Sequence, residues 1–213
     1  MTKKIKLKDK SISRNSFSYV KDYLINSLGI KNEEVNSFLN IPQNSDELQP
    51  ELLINSEFAV KTTYELMKDG AKVFVQVDSD CDGYTSAAIL VNYLKKRFPQ
   101  NEIVWRLHKE KEHGVIVDTV PEDCNLVFIP DAGSNQFEEQ KQLIAKGKTV
   151  IILDHHEVSD FQETGAIVVN NQLSPNFPNK YLSGAGVVYK FIKLFDHMYF
   201  DDKIYKDYGD LAA

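Results

Sequence analysis

The chain has 213 residues, of which 42% are hydrophobic and 26% are charged, and its formal net charge at pH 7 is −6. This composition is typical of a soluble globular protein and excludes disordered, collagen-like and low-complexity chains. The apolar runs have the length of strands, far below the roughly 20 residues of a membrane span, and the charged N-terminus lacks the apolar stretch of a secretory signal. With only Cys81 and Cys124 available, the sequence predicts a cytoplasmic protein with reduced thiols.

The first part of the chain, residues 1–71, is predicted to be a helical lead-in. Apolar residues at helical spacing indicate one helix around 20–28, which ends at Gly29. A second short helix is predicted through 33–40, and a third from about Ser56 to Lys68. The simplest interpretation of these helices is that they cap the domain that follows.

From Lys72 onward, apolar runs of strand length alternate with helical patterns. The predicted strands are KVFVQVD, EIVWRL, NLVFIPD, TVIILDHH and AIVVNN. The predicted helices are TSAAILVNYLKKRF, residues 136–146 and GAGVVYKFIKLFDHMYF. This alternation predicts an α/β fold, with a doubly wound, mainly parallel sheet that carries helices on both faces. The predicted domains are therefore the lead-in, 1–71, and an α/β domain, 72–213.

Charged side chains follow three of the predicted strands. They are the aspartates of DSDCDG (residues 78–83), Asp131, and the run Asp154–His155–His156. Ligands of open parallel sheets bind beyond the carboxyl ends of the strands, so all three groups are expected at one edge. Five aspartates and two histidines would repel one another strongly without a counter-cation. Carboxylates with imidazole suit Mn²⁺ or Mg²⁺, and a pair of such ions, bridged by one aspartate, is typical of phosphoryl displacement.

Each of these groups also has a simpler interpretation when it is taken alone. DSDCDG matches only part of a calcium-binding loop, because the glutamate expected six residues after its glycine is replaced by Ile89. Asp131 alone could cap a helix, and a lone pair of histidines is more often a surface or core feature than a ligand pair. Their joint occurrence directly after apolar strands favours a metal site.

Four segments, in order along the chain, resemble the successive motifs of the DHH phosphoesterase superfamily, and most closely its RecJ branch of single-strand-specific exonucleases. The segments are VDSDCDGYTSAAIL, FIPDAGSN, IILDHHE and VVNNQLSPN…YLSGAGVVYKF. The resemblance covers about 52–213. It implies a metal-dependent phosphodiesterase that degrades single-stranded DNA from 5′ to 3′ by two-metal hydrolysis with Mn²⁺ or Mg²⁺. A cytoplasmic role in DNA repair or recombination, with a replication or repair protein as partner, would follow.

The resemblance also implies roles for individual residues. The implied metal ligands are Asp80, Asp82, Asp131 and His155, with Asp131 as the bridge. Asp78 is a further candidate ligand or a supporting acceptor. The implied catalytic residues are His156, which would face the scissile phosphate, and Asp154, which would be a ligand or would orient His155 as carboxylates do for metal-bound imidazole.

The last predicted helix begins with a turn of small residues, Ser183, Gly184 and Gly186. Backbone N–H groups at a helix N-terminus favour an anion, so this turn is a candidate site for a substrate phosphate. Close packing of the helix through small residues is an equally good explanation.

Five aromatic or basic residues on or after the strands are candidate contacts for single-stranded nucleic acid. They are Tyr84, Trp105, Arg106, His108 and Lys109. Of these, Trp105 is expected to belong to the hydrophobic core instead.

The final residues, YGDLAA, resemble the beginning of a family segment whose closing aspartate supplies a further metal ligand. We therefore expect a DHH domain that is incomplete at its C-terminus and lacks the accessory substrate-binding domain. Activity of the 213-residue form is expected to be weak or absent, although Asp207 or Asp210 could replace the missing ligand.

Three other functions are weighed against the exonuclease. A hydrolase of short oligonucleotides or cyclic dinucleotides would keep the same site. An inorganic pyrophosphatase of the superfamily is disfavoured, because its histidine four residues before the first metal aspartate is Gln76 here. A non-catalytic DHH scaffold that binds DNA or a replication partner is also disfavoured, since such relatives usually lose the metal acids that this chain keeps.

Overall fold

The computed structural model describes residues 48–109 and 112–212, together with Lys31 and Glu33. The helix predicted at 20–28, and all but the first residue of the one predicted at 33–40, lie outside these described residues. The chain divides into two compact units, Met1–Glu47 and Leu48–Ala213, and the elements described below belong to the second. The predicted division at residues 71 and 72 remains a prediction.

Strands and helices of the second unit alternate along the chain as the sequence predicted. The strands are β1 (Val73–Val77), β2 (Ile103–Leu107), β3 (Leu126–Pro130), β4 (Thr149–Asp154) and β5 (Ile167–Asn170). The helices are α1 (Ser56–Lys68), α2 (Cys81–Arg97), α3 (Phe137–Ala145), α4 (Gly184–Tyr199) and the short α5 (Gly209–Ala212). Short 3₁₀ helices lie at Pro50–Leu52, Val117–Thr119 and Ile204–Tyr208.

Helix α2 begins four residues earlier than its apolar pattern predicted, and the reason is its N-cap. The side chain of Asp80 accepts a hydrogen bond from the N–H of Gly83 at 2.9 Å, which satisfies one of the free donors of the first turn. The DSDCDG motif is therefore the entry to a helix, and its last two carboxylates lie at that helix's N-terminus.

The five strands form one parallel sheet in the order β2-β1-β3-β4-β5. The chain adds β2 on one side of β1 and then returns to place β3 on the other side. This reversal puts a topological switch point between β1 and β3, at the edge where ligands of doubly wound sheets bind. The prediction of a parallel α/β sheet is confirmed.

The two faces of the sheet are covered by different helices. Alternate strand residues, such as Val75 and Phe128, pack in a core with α1, α2 and α4, whereas Phe74 and Val127 pack in a second core beside α3. Because strand side chains alternate between faces, near-continuous apolar strands are required when both faces are buried. The helices on both faces confirm the doubly wound architecture.

A buried carboxylate joins α2 to α4 at the end remote from the switch point. Asp196 of α4 is fully buried and accepts hydrogen bonds from the Tyr93 hydroxyl at 2.6 Å and from Arg97 Nε at 3.0 Å. Its second oxygen accepts the N–H of Tyr205 at 2.9 Å. Burial, and then the hydrogen bond to Asp196, raise the pKa of Tyr93 far above its ordinary value, so that hydroxyl remains a donor. The charge of Asp196 is thus compensated on both oxygens.

Replacing Asp196 by alanine is expected to lower the free energy of unfolding by about 3–5 kcal/mol. The change leaves the buried donors of Tyr93 and Tyr205 without an acceptor, and of the two carboxylates that pair with Arg97 it leaves only the exposed one, Asp202. Denaturant unfolding at pH 7 measures the change. Asp207→Ala is the matched control, since Asp207 pairs with Lys96 on the surface and its loss should leave the free energy of unfolding essentially unchanged. Equal stability of the two variants would contradict this role of Asp196.

Candidate metal centre

The three predicted groups of charged side chains meet at the edge of the sheet that contains the switch point. Asp78 directly follows β1, Asp131 directly follows β3, and Asp154 is the last residue of β4. These strands are neighbours in the order β1-β3-β4, so their carboxyl ends lie side by side. The convergence predicted from the sequence is present in the structure.

Asp131 occupies the centre of this edge in an unusual backbone conformation. Its φ is +62°, in the left-handed region that residues other than glycine rarely adopt, and its N–H donates to the Leu153 carbonyl at 2.8 Å. The first residue of α4, Gly184, packs against the carboxylate so closely that a Cβ there would overlap with it. The strained turn and the missing side chain of Gly184 together hold the carboxylate of Asp131 inside the protein.

The carboxylate of Asp131 is buried, and among the described residues its Oδ1 has no well-aligned hydrogen bond. The residue is 1% exposed, and His155 Nε2 lies 3.2 Å from its Oδ1. Burial raises the pKa of Asp131 to about 6, and the opposing effect of His155 does not cancel that increase. A buried carboxylate that is held only by a poorly aligned imidazole is costly to ionise unless a cation neutralises it. This oxygen therefore fits a metal ion.

Two groups of possible ligand atoms share Asp131. One group is Asp131, His155 and His156, and the other is Asp78, Asp80 and Asp131; within each group the ligand atoms lie within 4.8 Å of one another. Carboxylate and imidazole ligands suit divalent ions such as Mn²⁺ or Mg²⁺. These residues therefore fit the binding of a divalent cation, and Asp131 belongs to both groups.

Asp82, a predicted ligand, faces the same centre but has other partners here. Its two carboxylate oxygens accept the N–H groups of Gly184 and Ala185, each at 2.8 Å. Its Oδ2 also lies 3.5 Å from His155 Nε2. The first turn of α4 carries partial positive charge, which favours a carboxylate at this position. Asp82 therefore ties the beginning of α2 to the beginning of α4.

The turn predicted to hold a substrate phosphate is the one that Asp82 caps. In addition, the Ser183 hydroxyl accepts the N–H of Gly186 at 3.1 Å. The N–H groups of Gly184 and Gly186 thus already have acceptors within the protein. A phosphate at this turn would compete with Asp82 and Ser183, and its binding there remains a prediction.

Asp154 orients a different histidine from the one expected. Its Oδ1 is 2.7 Å from His156 Nδ1, while His155 reaches the same oxygen only through its backbone N–H, also at 2.7 Å. Its Oδ2 accepts the N–H of Ser134 at 3.1 Å. Burial raises the pKa of Asp154, but the hydrogen bonds from His156 and Ser134 outweigh it and lower the pKa to about 2. Asp154 is an ionised support for His156.

His156 carries a positive charge at neutral pH. The hydrogen bond to Asp154 raises the pKa of His156 to about 9, against the smaller opposing effect of burial. The stabilisation from this ion pair is therefore present at pH 7 and is lost as the pH rises through about 9. The ring is half exposed and lines a cavity of about 300 Å³ together with Asp78, Asp131 and Asp154. This cavity is the space in which His156 can meet an anion.

Two histidines beside Asp78 were not recognised as part of the site. The Nδ1 atoms of His108 and His113 lie 3.3 Å and 3.9 Å from Asp78 Oδ1, which also accepts the N–H of Gly114 at 3.2 Å. The side chain of His108 is fully buried, so its prediction as a nucleic-acid contact is wrong. The sequence does contain a signal that places His108 at the site: it directly follows β2, and the carboxyl end of β2 lies at the same edge of the sheet as Asp78.

Three further predictions are corrected by the packing around the unit. Trp105 is 51% exposed rather than part of the core, because β2 lies at the edge of the sheet. Asp207 pairs with Lys96 near the last turn of α2, about 20 Å of helix away from Asp82, so it cannot complete the site. Asp210 belongs to none of the ligand groups found among the described residues.

Comparison with known proteins identifies the class to which this fold and site belong. Residues 72–213 match the model of the DHH family, N-terminal domain, and the chain belongs to that family. Within this family the chain is RecJ-like, as the relatives described next show. The predicted membership of the DHH superfamily and the predicted likeness to its RecJ branch are both confirmed.

The curated relatives are much longer than this chain. YorK, a SPbeta prophage-derived protein of Bacillus subtilis (strain 168) that bears the name of a single-strand DNA-specific exonuclease, is 48% identical over 164 residues. That match covers 77% of this chain and 28% of YorK. The single-stranded-DNA-specific exonuclease RecJ of Thermus thermophilus is 30% identical over 153 residues, or 70% of this chain and 22% of that protein.

A solved structure with the same fold contains a metal. The crystal structure of exonuclease RecJ bound to manganese superposes with a TM-score of 0.68 and 26% identity, over 78% of this chain and 43% of that one.

Across the described residues of the present chain, no helix is both long enough and apolar enough to cross a membrane.

Replacing Asp131 by asparagine is expected to separate metal binding from folding. The raised pKa means that ionised Asp131 destabilises the metal-free fold above about pH 6, so the variant should be as stable as wild type at pH 7, or more stable by up to about 2 kcal/mol. Mn²⁺ should raise the melting temperature of wild type but not that of Asp131→Asn. Thermal unfolding with and without Mn²⁺ measures both effects.

The control for this experiment is Asp118→Asn, which makes the same charge change at a side chain that is 97% exposed. Mn²⁺ should stabilise this control as it does wild type. Stabilisation of Asp131→Asn to the same extent would show that Asp131 does not hold the cation.

Proposed function

We propose that this chain carries the metal-binding and catalytic domain of a RecJ-like exonuclease, which hydrolyses single-stranded DNA from 5′ to 3′ with two Mn²⁺ or Mg²⁺ ions. The observation that supports this most directly is the buried carboxylate of Asp131, which belongs to two adjacent groups of possible ligand atoms and whose Oδ1 has no well-aligned hydrogen bond among the described residues. A shared carboxylate between two cation sites is the arrangement that two-metal phosphoryl chemistry uses.

The protein's own residues would divide the work in the following way. Asp78, Asp80, Asp131 and His155 would hold the cations, and Asp82 would join them or keep α2 and α4 in place. When bound, the metals supply Lewis-acid activation of water and neutralise the charge that develops on the phosphate oxygens. The polar groups are fixed before the substrate arrives, which lowers the cost of reorganisation during the reaction.

His156 would act on the substrate, although its ring belongs to one of the two groups of possible ligand atoms, because its Nδ1 is already taken by Asp154. The cation beside it would then be held by Asp131 and His155, with Asp82 next to them. The imidazolium of His156 is held by Asp154 through Nδ1, so Nε2 is the ring atom left to donate to a phosphate oxygen in the cavity. A donor fixed in this way contributes most when the transition state carries more negative charge than the ground state. Asp154 is in this account a positioning residue for His156.

Single-stranded DNA is proposed as the substrate because both similar curated proteins are named as exonucleases specific for it. The matches cover only 28% of YorK and 22% of the Thermus thermophilus RecJ. The exonuclease activity of such longer proteins is therefore assigned to this chain only as a proposal. Two alternatives would replace this proposal. One is a hydrolase of short oligonucleotides or cyclic dinucleotides, and the other is a scaffold that binds DNA without cleaving it.

His156→Gln is expected to slow Mn²⁺-dependent cleavage of a 5′-phosphorylated single-stranded oligonucleotide by about 100-fold or more, with little change in Mn²⁺ affinity. The loss follows from removal of the positive charge that faces the phosphate. The measurement is a single-turnover assay with protein in excess, so that weak activity is still quantified. His197→Gln, at the exposed end of α4, is the matched control and should keep the wild-type rate.

Several results of this assay would contradict the proposal. Cleavage of duplex at the rate for single strands would remove the substrate assignment, and preference for dinucleotides would indicate a hydrolase of short products. Binding of DNA without any Mn²⁺-dependent cleavage would indicate a scaffold. A wild-type rate for His156→Gln would remove this residue from catalysis.

A further inference from the structure

An open groove runs between α2 and the edge strand β2, outside the ligand groups described above. Its volume is about 240 Å³, and its floor includes Val77 of β1. The walls are formed by one stripe of α2 and by two alternate residues of β2: Tyr84, Ala87, Ala88, Val91, Asn92, Lys95, Trp105 and Leu107. We refer to it as the α2–β2 groove.

Large apolar side chains in this groove are exposed. Tyr84, Trp105 and Leu107 are 48%, 51% and 52% exposed, although each belongs to an element whose other side packs in the core. Neighbouring exposed aromatics of this kind mark surfaces that bind a flat or apolar ligand. The groove therefore has the composition of a binding surface, in which Trp105 and Tyr84 provide the ring faces.

The charge of the groove favours an anionic ligand. The protein carries a net charge of −6, yet none of the described residues that line the groove is a carboxylate. Lys95 Nζ lies over the face of the Trp105 ring, 4.2 Å from its centre, and within the described part of the chain it forms no ion pair with a carboxylate. A base that stacks on this face would take the place of the ammonium, which would then move aside to the phosphate of the same nucleotide. A cation next to an aromatic face is the combination that holds the base and the phosphate of one nucleotide.

The groove begins at the metal centre and leads away from it. Tyr84 follows Asp82 by two residues, and its N–H donates to the Asp80 carbonyl at 3.0 Å. Leu107 pairs in register with Val77, the residue before Asp78. From Tyr84 to Lys95 the helix advances about 16 Å away from the metal centre.

We propose that the α2–β2 groove binds the bases of single-stranded DNA next to the metal centre, with one base stacked on Trp105 and a phosphate near Lys95. This inference rests on the proposed function and adds to it a subsite for nucleobases. The rings recognise the faces of the bases and not their edges, so binding here is tolerant of sequence.

The test uses the fact that Trp105 is the only tryptophan of the 213-residue chain. In EDTA, where no cleavage occurs, a decathymidylate should quench the fluorescence of Trp105, and an abasic decamer of the same length and charge should not. Anisotropy of the labelled oligonucleotides gives the affinities. Trp105→Ala should bind decathymidylate roughly 5- to 150-fold more weakly, the cost of one stacked base.

Two further variants control this measurement. Trp105→Phe keeps an aromatic face and should bind within about threefold of wild type. This result would show that replacing the tryptophan does not by itself abolish binding and that the loss in Trp105→Ala comes from the missing ring. Phe58→Ala removes an aromatic that is 59% exposed on α1, next to Val168 at the opposite edge of the sheet, and should not change the affinity.

The stacking site is overturned if decathymidylate binds without a change in Trp105 fluorescence, if the abasic decamer quenches equally, or if Trp105→Ala binds as wild type does. Emission of a buried tryptophan that acrylamide cannot quench would show that protein covers the groove, which also overturns it. If any of these accompanies Mn²⁺-dependent cleavage of single strands, the proposed function stands and only the subsite fails. Absence of both binding and cleavage removes both.

Discussion

The structure depends on one electrostatic constraint, the burial of the Asp131 carboxylate at the switch point of the sheet. A strained turn places it there, and the absence of a side chain at Gly184 makes room for it. Among the described residues its Oδ1 has the ring of His155 at 3.2 Å but no well-aligned hydrogen bond. Such an arrangement raises the energy of the metal-free fold, and a cation held by the ligand groups would remove that cost. The surrounding carboxylates and His155 are arranged around this single buried oxygen.

The two helices beside this centre are joined at both ends. At one end Asp82 of α2 accepts the first N–H groups of α4, and at the other Asp196 of α4 accepts the donors of Tyr93 and Arg97 on α2. Motion of one helix relative to the other would break contacts at both ends. This rigidity is what a site needs when its ligands come from separate strands and helices, because a displacement of about 1 Å weakens a catalytic arrangement strongly.

Much of this arrangement could be predicted from the sequence, because it follows from local rules. Apolar runs that end in aspartate mark the ends of strands, and parallel strands bring their carboxyl ends together, so the convergence of Asp131 and His155 at one edge could be predicted without a structure. The order of the strands is not a local property. Trp105 was expected in the core because nothing near it in sequence shows that β2 is an edge strand.

The sequence also does not predict which polar groups the charged side chains of the site contact. His108 contacts Asp78 although the two residues are 30 positions apart in the sequence. Asp82 accepts the N–H of Gly184, which lies 102 positions further along the chain. The choice of His156 rather than His155 as the ring that Asp154 holds depends on a turn whose conformation no motif specifies.

The most direct test of this account is the number of Mn²⁺ ions that the chain binds. Equilibrium dialysis of the 213-residue chain at pH 7.5, combined with electron paramagnetic resonance, counts the ions and reports whether they are magnetically coupled. We predict two Mn²⁺ per chain with a coupled spectrum, since Asp131 would lie between them. Binding of one ion or none at saturating Mn²⁺, or of two ions without coupling, would contradict a centre built around a shared carboxylate.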